Sequence, residues 1–243
     1  MRYFIADLHL SSRSPGATGI FIKLLTDIAR PENQLYILGD LFETWIGDDD
    51  DAPVSRQIVA ALSAASHQGL AIFLLHGNRD FLIGARFAAE TGVHLLSEPY
   101  LLSTPNGQFI LAHGDALCTD DAEYQQFRAR MRSPEWQAAF LQKPLAERRA
   151  LAERLRQQSQ QAKDAKSAYL MDLNPAATDD FLRQHGYATF IHGHTHRPSR
   201  HDHIVDGIHV ERWVLADWSE KQGETLIWDG EQLKRQLLDE ISH

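Results

Sequence analysis

Cysteine is almost missing from this 243-residue chain. Cys118 stands alone, so no internal disulfide can form, as expected of a cytosolic protein. Long apolar runs are missing too. None approaches 18 residues, which excludes a membrane-spanning helix. Nor is there an excess of positive charge: 24 Lys and Arg stand against 33 Asp and Glu, a formal net charge of −9. That balance argues against generic nucleic-acid binding but leaves an anionic substrate open, because metal ions can supply positive charge locally. No signal peptide fits the N-terminus, where Met1 leads directly into the β-type run Tyr3-Phe4-Ile5-Ala6; the expected location is the cytoplasm. Internal repeats, low-complexity tracts and flexible linkers are likewise absent. With 43% apolar and 23% charged residues, the chain is an ordinary globular one, either a single large α/β domain or a core with one insertion.

Strands and helices alternate at first. The run at 3–6 reads as a buried strand ending at Asp7-Leu8-His9. Gly16 to Gly19 is expected to break the chain before Phe21, Leu24, Leu25 and Ile28 recur at helical spacing. A second strand at 35–38 ends at Gly39-Asp40, and a helical pattern follows Pro53 and stops at Gly69. A third strand at 71–75 ends at His76-Gly77-Asn78-Arg79-Asp80, with a helix at 81–90. This order predicts a mainly parallel or mixed sheet covered by helices. Ligand sites of open α/β sheets lie at the carboxyl ends of such strands.

Beyond Gly92 the character changes. Pro105-Asn106-Gly107 marks a hairpin whose second arm ends at His113-Gly114-Asp115. Residues 121–166 read as helical, broken at Pro134 and Pro144. Between Glu123 and Lys166, ten Lys or Arg face five Asp or Glu, a net +5. Phe127, Met131, Trp136, Phe140, Leu141 and Leu145 are threaded through this segment. They could form a small core of their own, or a basic, partly apolar cap suited to an amphiphilic anion or a membrane surface. A helix at 175–184 and a strand at 188–191 follow. The tail at 204–238, with turns at Asp206-Gly207 and Asp229-Gly230, is expected to complete a second, antiparallel sheet.

His192, His194 and His196 alternate directly after the strand at 188–191, so their imidazoles can point the same way, and imidazole is the commonest protein ligand for transition metals. A solvated loop could carry the same residues, so the weight falls on the other strand ends. Asp7, His9, Asp40, Asn78 and His113 all sit at β-to-loop junctions. Buried Asp and His cost stability without specific partners, and packing alone is a poor reason for so many. With His194 and His196 they make seven donors, too many for one ion and suited to two ions sharing a carboxylate, with Asp40 the candidate bridge. Imidazole, carboxylate and amide together suit Mn²⁺, Fe²⁺ or Zn²⁺ rather than a thiolate-bound metal.

Asp7-x-His9, Gly39-Asp40, Gly77-Asn78-Arg79-Asp80, His113-Gly114-Asp115 and Gly193-His194-x-His196, in that order, resemble the calcineurin-like metallophosphoesterases. The resemblance implies an α/β fold of four layers, an αββα sandwich, with residues 1–120 and 167–243 as the core and 121–166 as a helical cap. It implies one metal held by Asp7, His9, Asp40 and His196 and another by Asp40, Asn78, His113 and His194, with His192 behind the ligands. Where that superfamily commonly carries Gly-Asn-His, this chain has Gly77-Asn78-Arg79. Arginine is no general acid at neutral pH but binds phosphate bidentately. A phosphate leaving group is already a weak base, so the change favours attack on a phosphoanhydride over a monoester of an alcohol.

Stretches 36–50, 76–82, 113–121 and 191–198 resemble more closely one branch of that superfamily, which serves lipid A biosynthesis. That branch splits UDP-2,3-diacylglucosamine into UMP and 2,3-diacylglucosamine 1-phosphate, with Mn²⁺, at the inner face of the cytoplasmic membrane. The resemblance therefore implies a pyrophosphatase with two-metal activation of water, in peripheral contact with the inner membrane and with no nucleic-acid partner; a monomer is favoured. Asp40, Asn78, Arg79, His113 and His194 would be catalytic. Asn78, Arg79, Asp121, Ser159, Lys163, Lys166 and His194 would touch substrate, although Lys163 stands where relatives more often have a small polar residue. Asp48 to Asp51 is expected to be a solvated loop, and Glu43 and Trp45 either local packing or support behind the ligands. A cyclic-nucleotide phosphodiesterase or phosphoprotein phosphatase fits the Gly-Asn-Arg step and the basic, apolar insertion less well. A scaffold without activity would have lost ligands, and none of the seven is missing.

Overall fold

Three near-continuous apolar runs become the centre of the first sheet because both of their faces are buried. The structure is a computed structural model and describes residues 1–165 and 172–239, without the side chains of 160–165. Strands β1 (Arg2–Ile5), β2 (Gln34–Leu38) and β3 (Ala71–Leu75) run parallel, with Tyr3 opposite Leu35 and Leu35 opposite Ile72. Ile5, Leu35, Ile37, Ile72 and Leu74 point to one face. There they meet α1 (Pro15–Ile28), α2 (Pro53–His67) and α3 (Ala85–Thr91). Phe4, Ala6, Tyr36, Leu38 and Leu75 point to the other face, against the second sheet.

Both glycines expected to break the chain lie inside α1. The helix starts at Pro15, a proline position compatible with a first turn. Gly16 marks a close approach instead, since a Cβ there would fall 2.0 Å from the Glu220 carbonyl oxygen.

The second sheet contains β5 (Tyr100–Thr104), β6 (Gly107–Leu111), β7 (Thr189–His192), β8 (Ser199–Val205) and β9 (Ile208–Val214), in the order β5-β6-β7-β9-β8. Its outer face, with Ile110, Phe190, Val205 and Val210, is covered through Leu182 by α7 (Pro175–Gln184). The layers are thus helices, sheet, sheet, helix, as the resemblance implied.

The tail departs from expectation. Only β8 and β9 join the second sheet; β10 (Gln222–Trp228) and β11 (Leu233–Asp239) return to the first, with β10 antiparallel to β1. The chain crosses the sandwich between Leu215, which packs between the sheets, and Trp218, which packs on the helix side. The full order of the first sheet is β11-β10-β1-β2-β3-β4, where β4 is His94–Leu95.

Between β6 and β7 stand α4 (Ala122–Met131), α5 (Pro134–Leu141) and α6 (Leu145–Ala165), interrupted where the prolines were expected to interrupt them. Asp121 caps α4 by accepting the Tyr124 amide at 3.0 Å, and Ser133 caps α5 by accepting the Trp136 amide. Their apolar residues do not form a separate core. Phe140, Trp136, Leu145, Leu151 and Ala152 pack into the helix-side core of the first sheet.

Candidate active site

The backbone at the strand ends is unusual in one respect. Asp7 (φ 54°), His9 (49°), Asp40 (54°), His194 (69°) and His196 (54°) all adopt the left-handed region. Each such residue costs energy, and such costs persist where the surroundings impose them, most often at functional sites. The surroundings here are the neighbouring loops. The Asp7 amide donates to the Gly39 carbonyl, His9 to Asp40, Gly193 to His113, and His194 to Asp7 Oδ2 at 2.8 Å. Asp80, fully buried, accepts the amides of Leu41 (2.7 Å) and Gly77 (2.8 Å), tying the loop after β2 to the loop after β3. The glycines in the motifs make room for carboxylates. A Cβ on Gly77 would lie 2.1 Å from Asp40 Oδ1, and one on Gly193 would lie 2.3 Å from Asp7 Oδ2.

All seven expected ligands converge there, and their orientations suit cations. His113 Nδ1 lies 2.9 Å from the Leu38 carbonyl, which commits it as the donor. Nε2 then faces Asn78 Oδ1 at 3.0 Å and Asp40 Oδ2 at 3.7 Å. On the other side, His9 Nδ1 faces Glu43 (3.2 Å) and His196 Nδ1 faces Asp217 (3.5 Å). Their Nε2 atoms then meet each other at 3.2 Å, beside Asp7 Oδ1, which has no hydrogen-bond partner among the described residues. Atoms converging at such distances need a proton or a cation between them, and a carboxylate or carbonyl behind the imidazole is the usual support of a metal-binding histidine. Asp7, His9 and His196 form one group able to hold an ion; Asp7, Asp40 and His113 form another. Asp40 Oδ2 reaches His9 Nε2 (4.0 Å) as well as His113, and Asp7 belongs to both groups. His194 adds Nδ1 at 3.0 Å from Asn78 Oδ1.

Electrostatics point the same way. Burial would lower the His113 imidazole, yet Asp40, Asp7, Asp115 and Glu98 hold it up at about 9. His196, opposed likewise by burial, is held up to about 9 by Asp217 and Asp7. Burial would raise the Asp7 carboxyl, but His196, His113 and His9 keep it well below the usual carboxylate range. The site calls for positive charge. His192 is different: fully buried, it accepts from Arg212 at 3.1 Å, and burial together with that guanidinium drives it down to about 3. It lies behind the loop as a neutral ring.

Arg79 does not pair with Asp80, whose carboxylate is occupied by amides. Its guanidinium is 3.9 Å from Glu43 Oε1, and both residues line an open cleft. The cleft is lined by Asn78 and Arg79 together with the apolar residues Trp45, Phe81, Leu82, Phe127, Trp136 and Leu155. Ser159 lines it too. Asp121 is the α4 cap. Lys166 and the side chain of Lys163 lie outside the described residues.

Of the two readings of Glu43, the contacts favour support behind a ligand: besides facing His9 and Arg79 it accepts Arg156 Nε of α6 at 2.6 Å. Burial would raise its carboxyl, but His9, Arg79 and Arg156 hold it down to about 2. Asp217 carried no motif; its only signal was a polar residue just past a strand end. The acidic run is not simply solvated. Asp48 accepts the Gly84 and Phe87 amides at the start of α3, and Asp50 accepts Ser55 Oγ at the start of α2. Asp49 pairs with Arg148, and Asp51 with Arg149.

The family profile described as calcineurin-like phosphoesterase matches residues 3–198. Among curated proteins, the UDP-2,3-diacylglucosamine hydrolase of Aromatoleum aromaticum is 49% identical over 227 residues, 93% of this chain and 92% of the relative. The protein of that name from Chromohalobacter salexigens is 46% identical, covering 90% of this chain and 89% of the relative. The one from Aeromonas hydrophila is 44% identical, covering 94% and 95%.

Proposed function

The chain belongs to the calcineurin-like phosphoesterase family and is a metal-dependent hydrolase, and from that premise we propose that it hydrolyses the pyrophosphate of UDP-2,3-diacylglucosamine, giving UMP and 2,3-diacylglucosamine 1-phosphate. Asp7, His9, Asp40 and His196 would hold one divalent ion; Asp40, Asn78, His113 and His194 would hold the other. Mn²⁺ suits this mixture of carboxylate, amide and imidazole. Bound there, two such ions supply Lewis acidity and activate water at neutral pH.

The residues of the chain do the rest. Glu43 and Asp217 keep the Nε2 atoms of His9 and His196 facing inward. Arg79 binds the phosphate oxygens and offsets the charge that builds on them. It donates no proton, and a phosphate leaving group needs none. The aromatic and aliphatic walls of the cleft take the acyl chains and exclude water from the reacting phosphate. Residues 121–166 act as a cap on a core of 1–120 and 167–243, and Asp121, Ser159, Lys163 and Lys166 address the sugar and phosphate. No helix among the described residues is long and apolar enough to cross a membrane; the substrate is met by peripheral contact with the cytoplasmic face of the inner membrane.

One observation carries this reading: the apolar cleft opens directly on Asn78 and Arg79, so a hydrocarbon groove and a phosphate site share one mouth. The test is incubation with Mn²⁺ and, separately, UDP-2,3-diacylglucosamine, bis(p-nitrophenyl) phosphate and a phosphopeptide. UMP release from the lipid nucleotide, with little turnover of the others, is expected. Comparable turnover of the phosphopeptide would overturn the substrate.

A further inference from the structure

One face of α4 packs on His194 and on the supports of His113 and Asn78. Tyr124, Arg128 and Arg132 are spaced four apart, which aligns them along one side of α4 and its final turn. Tyr124 stacks on His194, with ring centroids 5.9 Å apart and planes at 28°, while its hydroxyl donates to Asp115 Oδ2 at 2.8 Å. Arg128 Nε donates to the same oxygen at 2.8 Å. Its Nη2 lies 3.5 Å from Glu98, whose carboxylate accepts the His113 amide at 2.6 Å. Arg132 donates to the Gly77 carbonyl at 3.0 Å, one residue before Asn78, and lies 3.6 Å from Asp115. Among the described contacts, this face touches His194 and the immediate supports of Asn78 and His113, and none of the side chains of Asp7, His9 or His196.

Asp115 is the common acceptor. It is fully buried, two residues past His113, and its carbonyl also accepts the Gln125 side chain at 2.9 Å. Three loops from three different strands have no covalent tie to one another. A metal site needs its donors held to within about half an ångström, so something must fix their mutual placement.

We propose that Asp115 is a positioning residue. It anchors Tyr124, Arg128 and Arg132, and through them sets the placement of Asn78, His113 and His194, so that it governs affinity for the second divalent ion and leaves the first site alone. On this view α4 is a fixed part of the catalytic core, not a movable lid. The inference rests on the two-metal reading above.

The experiment titrates Mn²⁺ into the metal-free full chain, following heat for affinity and electron paramagnetic resonance for the spin-coupled pair, in wild type, Asp115→Asn and Tyr124→Phe. Wild type should take up two ions. Asp115→Asn should bind the first with unchanged affinity and the second about tenfold or more weakly, the usual range when a partner behind a ligand is lost, with the spin-coupled signal lost at equal loading. Tyr124→Phe keeps the ring and removes one hydrogen bond, so it should move the second affinity the same way by less. Unchanged affinity for both ions in both variants would overturn the proposal, as would equal weakening at both sites, the mark of general damage. Should Asp115→Asn fail to fold, Tyr124→Phe decides alone. A wild type that binds one ion only would overturn the two-metal reading, and this proposal with it.

Discussion

Gly193→Ala isolates the steric argument for the motif glycines. The φ of Gly193 lies outside the left-handed region, so its backbone would accept a side chain; the obstacle is space. The added Cβ would fall 2.3 Å from Asp7 Oδ2 and 2.6 Å from the Ala6 Cβ. Asp7 is fully buried and accepts the His194 amide at 2.8 Å, so it can yield only by giving up that bond. Losing a hydrogen bond to a charged acceptor costs about 1.5–3 kcal/mol, and overpacking adds about 1–3 kcal/mol. Together the metal-free protein should lose about 3–6 kcal/mol, read as a fall in the urea midpoint at unchanged slope. Two other glycines provide the scale. Gly19, inside α1 with nothing within 4 Å of an added Cβ, should gain about 0.8–1 kcal/mol as alanine. Gly207, equally open but at φ +81°, should lose about 1–2 kcal/mol to backbone strain alone. A loss in Gly193→Ala no greater than that of Gly207→Ala would refute the steric account.

Arg79→Ala should lower turnover of the lipid nucleotide by about 10²–10³-fold while metal content, measured by elemental analysis, stays at the wild-type level; unchanged turnover would remove Arg79 from the mechanism. Arg148 is 3% exposed and donates to the Ile46 carbonyl at 2.7 Å and to Asp49. Because Asp49 is half-exposed and can be rehydrated, Arg148→Met should cost only about 2 kcal/mol in thermal unfolding; a neutral result would show that this clasp does not hold α6. Tyr36 lies far from the ligands, and burial, reinforced by Tyr100 and opposed by Arg2, pushes its phenol up to about 12 from 10.0. The unfolded chain ionises first, so the contribution of Tyr36 is complete below pH 10 and is lost as pH rises through about 12. Over that window stability should fall by roughly 2–3 kcal/mol, and Tyr36→Phe should remove that part of the alkaline decline measured by urea unfolding.

The candidate ligands stood out in the sequence because strand ends are punctuated. Asp7, Asp40, Asn78 and His113 each follow an apolar run that could only be a buried strand, and a glycine accompanies most of them for a physical reason: Gly77 and Gly193 vacate the volume that Asp40 and Asp7 occupy. The left-handed φ of Asp7, His9, Asp40, His194 and His196 was invisible, since it arises from hydrogen bonds between loops far apart in sequence, such as His194 to Asp7. The same holds for the tail. The turns at Asp206-Gly207 and Asp229-Gly230 marked the tail as antiparallel strands, but which sheet each joined depended on where the chain crosses the sandwich, and Leu215 and Trp218 look alike as apolar residues.

The charge of the α4–α6 segment was legible as a sum and misleading as a use. Its net +5 suggested a basic face turned towards an anionic ligand. Much of that charge is consumed inside the fold. Arg128 binds Asp115, Arg148 binds Asp49, Arg149 binds Asp50 and Asp51, and Arg156 binds Glu43. These pairs explain why an acidic run sits at 48–51: it ties down the starts of α2 and α3 and holds α6 down. They also alter the picture of substrate capture. Arg79 and Arg156 both face Glu43 at the mouth of the cleft, so a phosphate entering there competes with that carboxylate for their donors. The free protein keeps these two guanidiniums on Glu43, so under the proposed function a dianionic substrate would exchange one acceptor for another without ordering them anew. Preorganised donors of that kind bind more tightly than flexible ones of equal charge, which makes Glu43 a holder of the phosphate site as well as of His9.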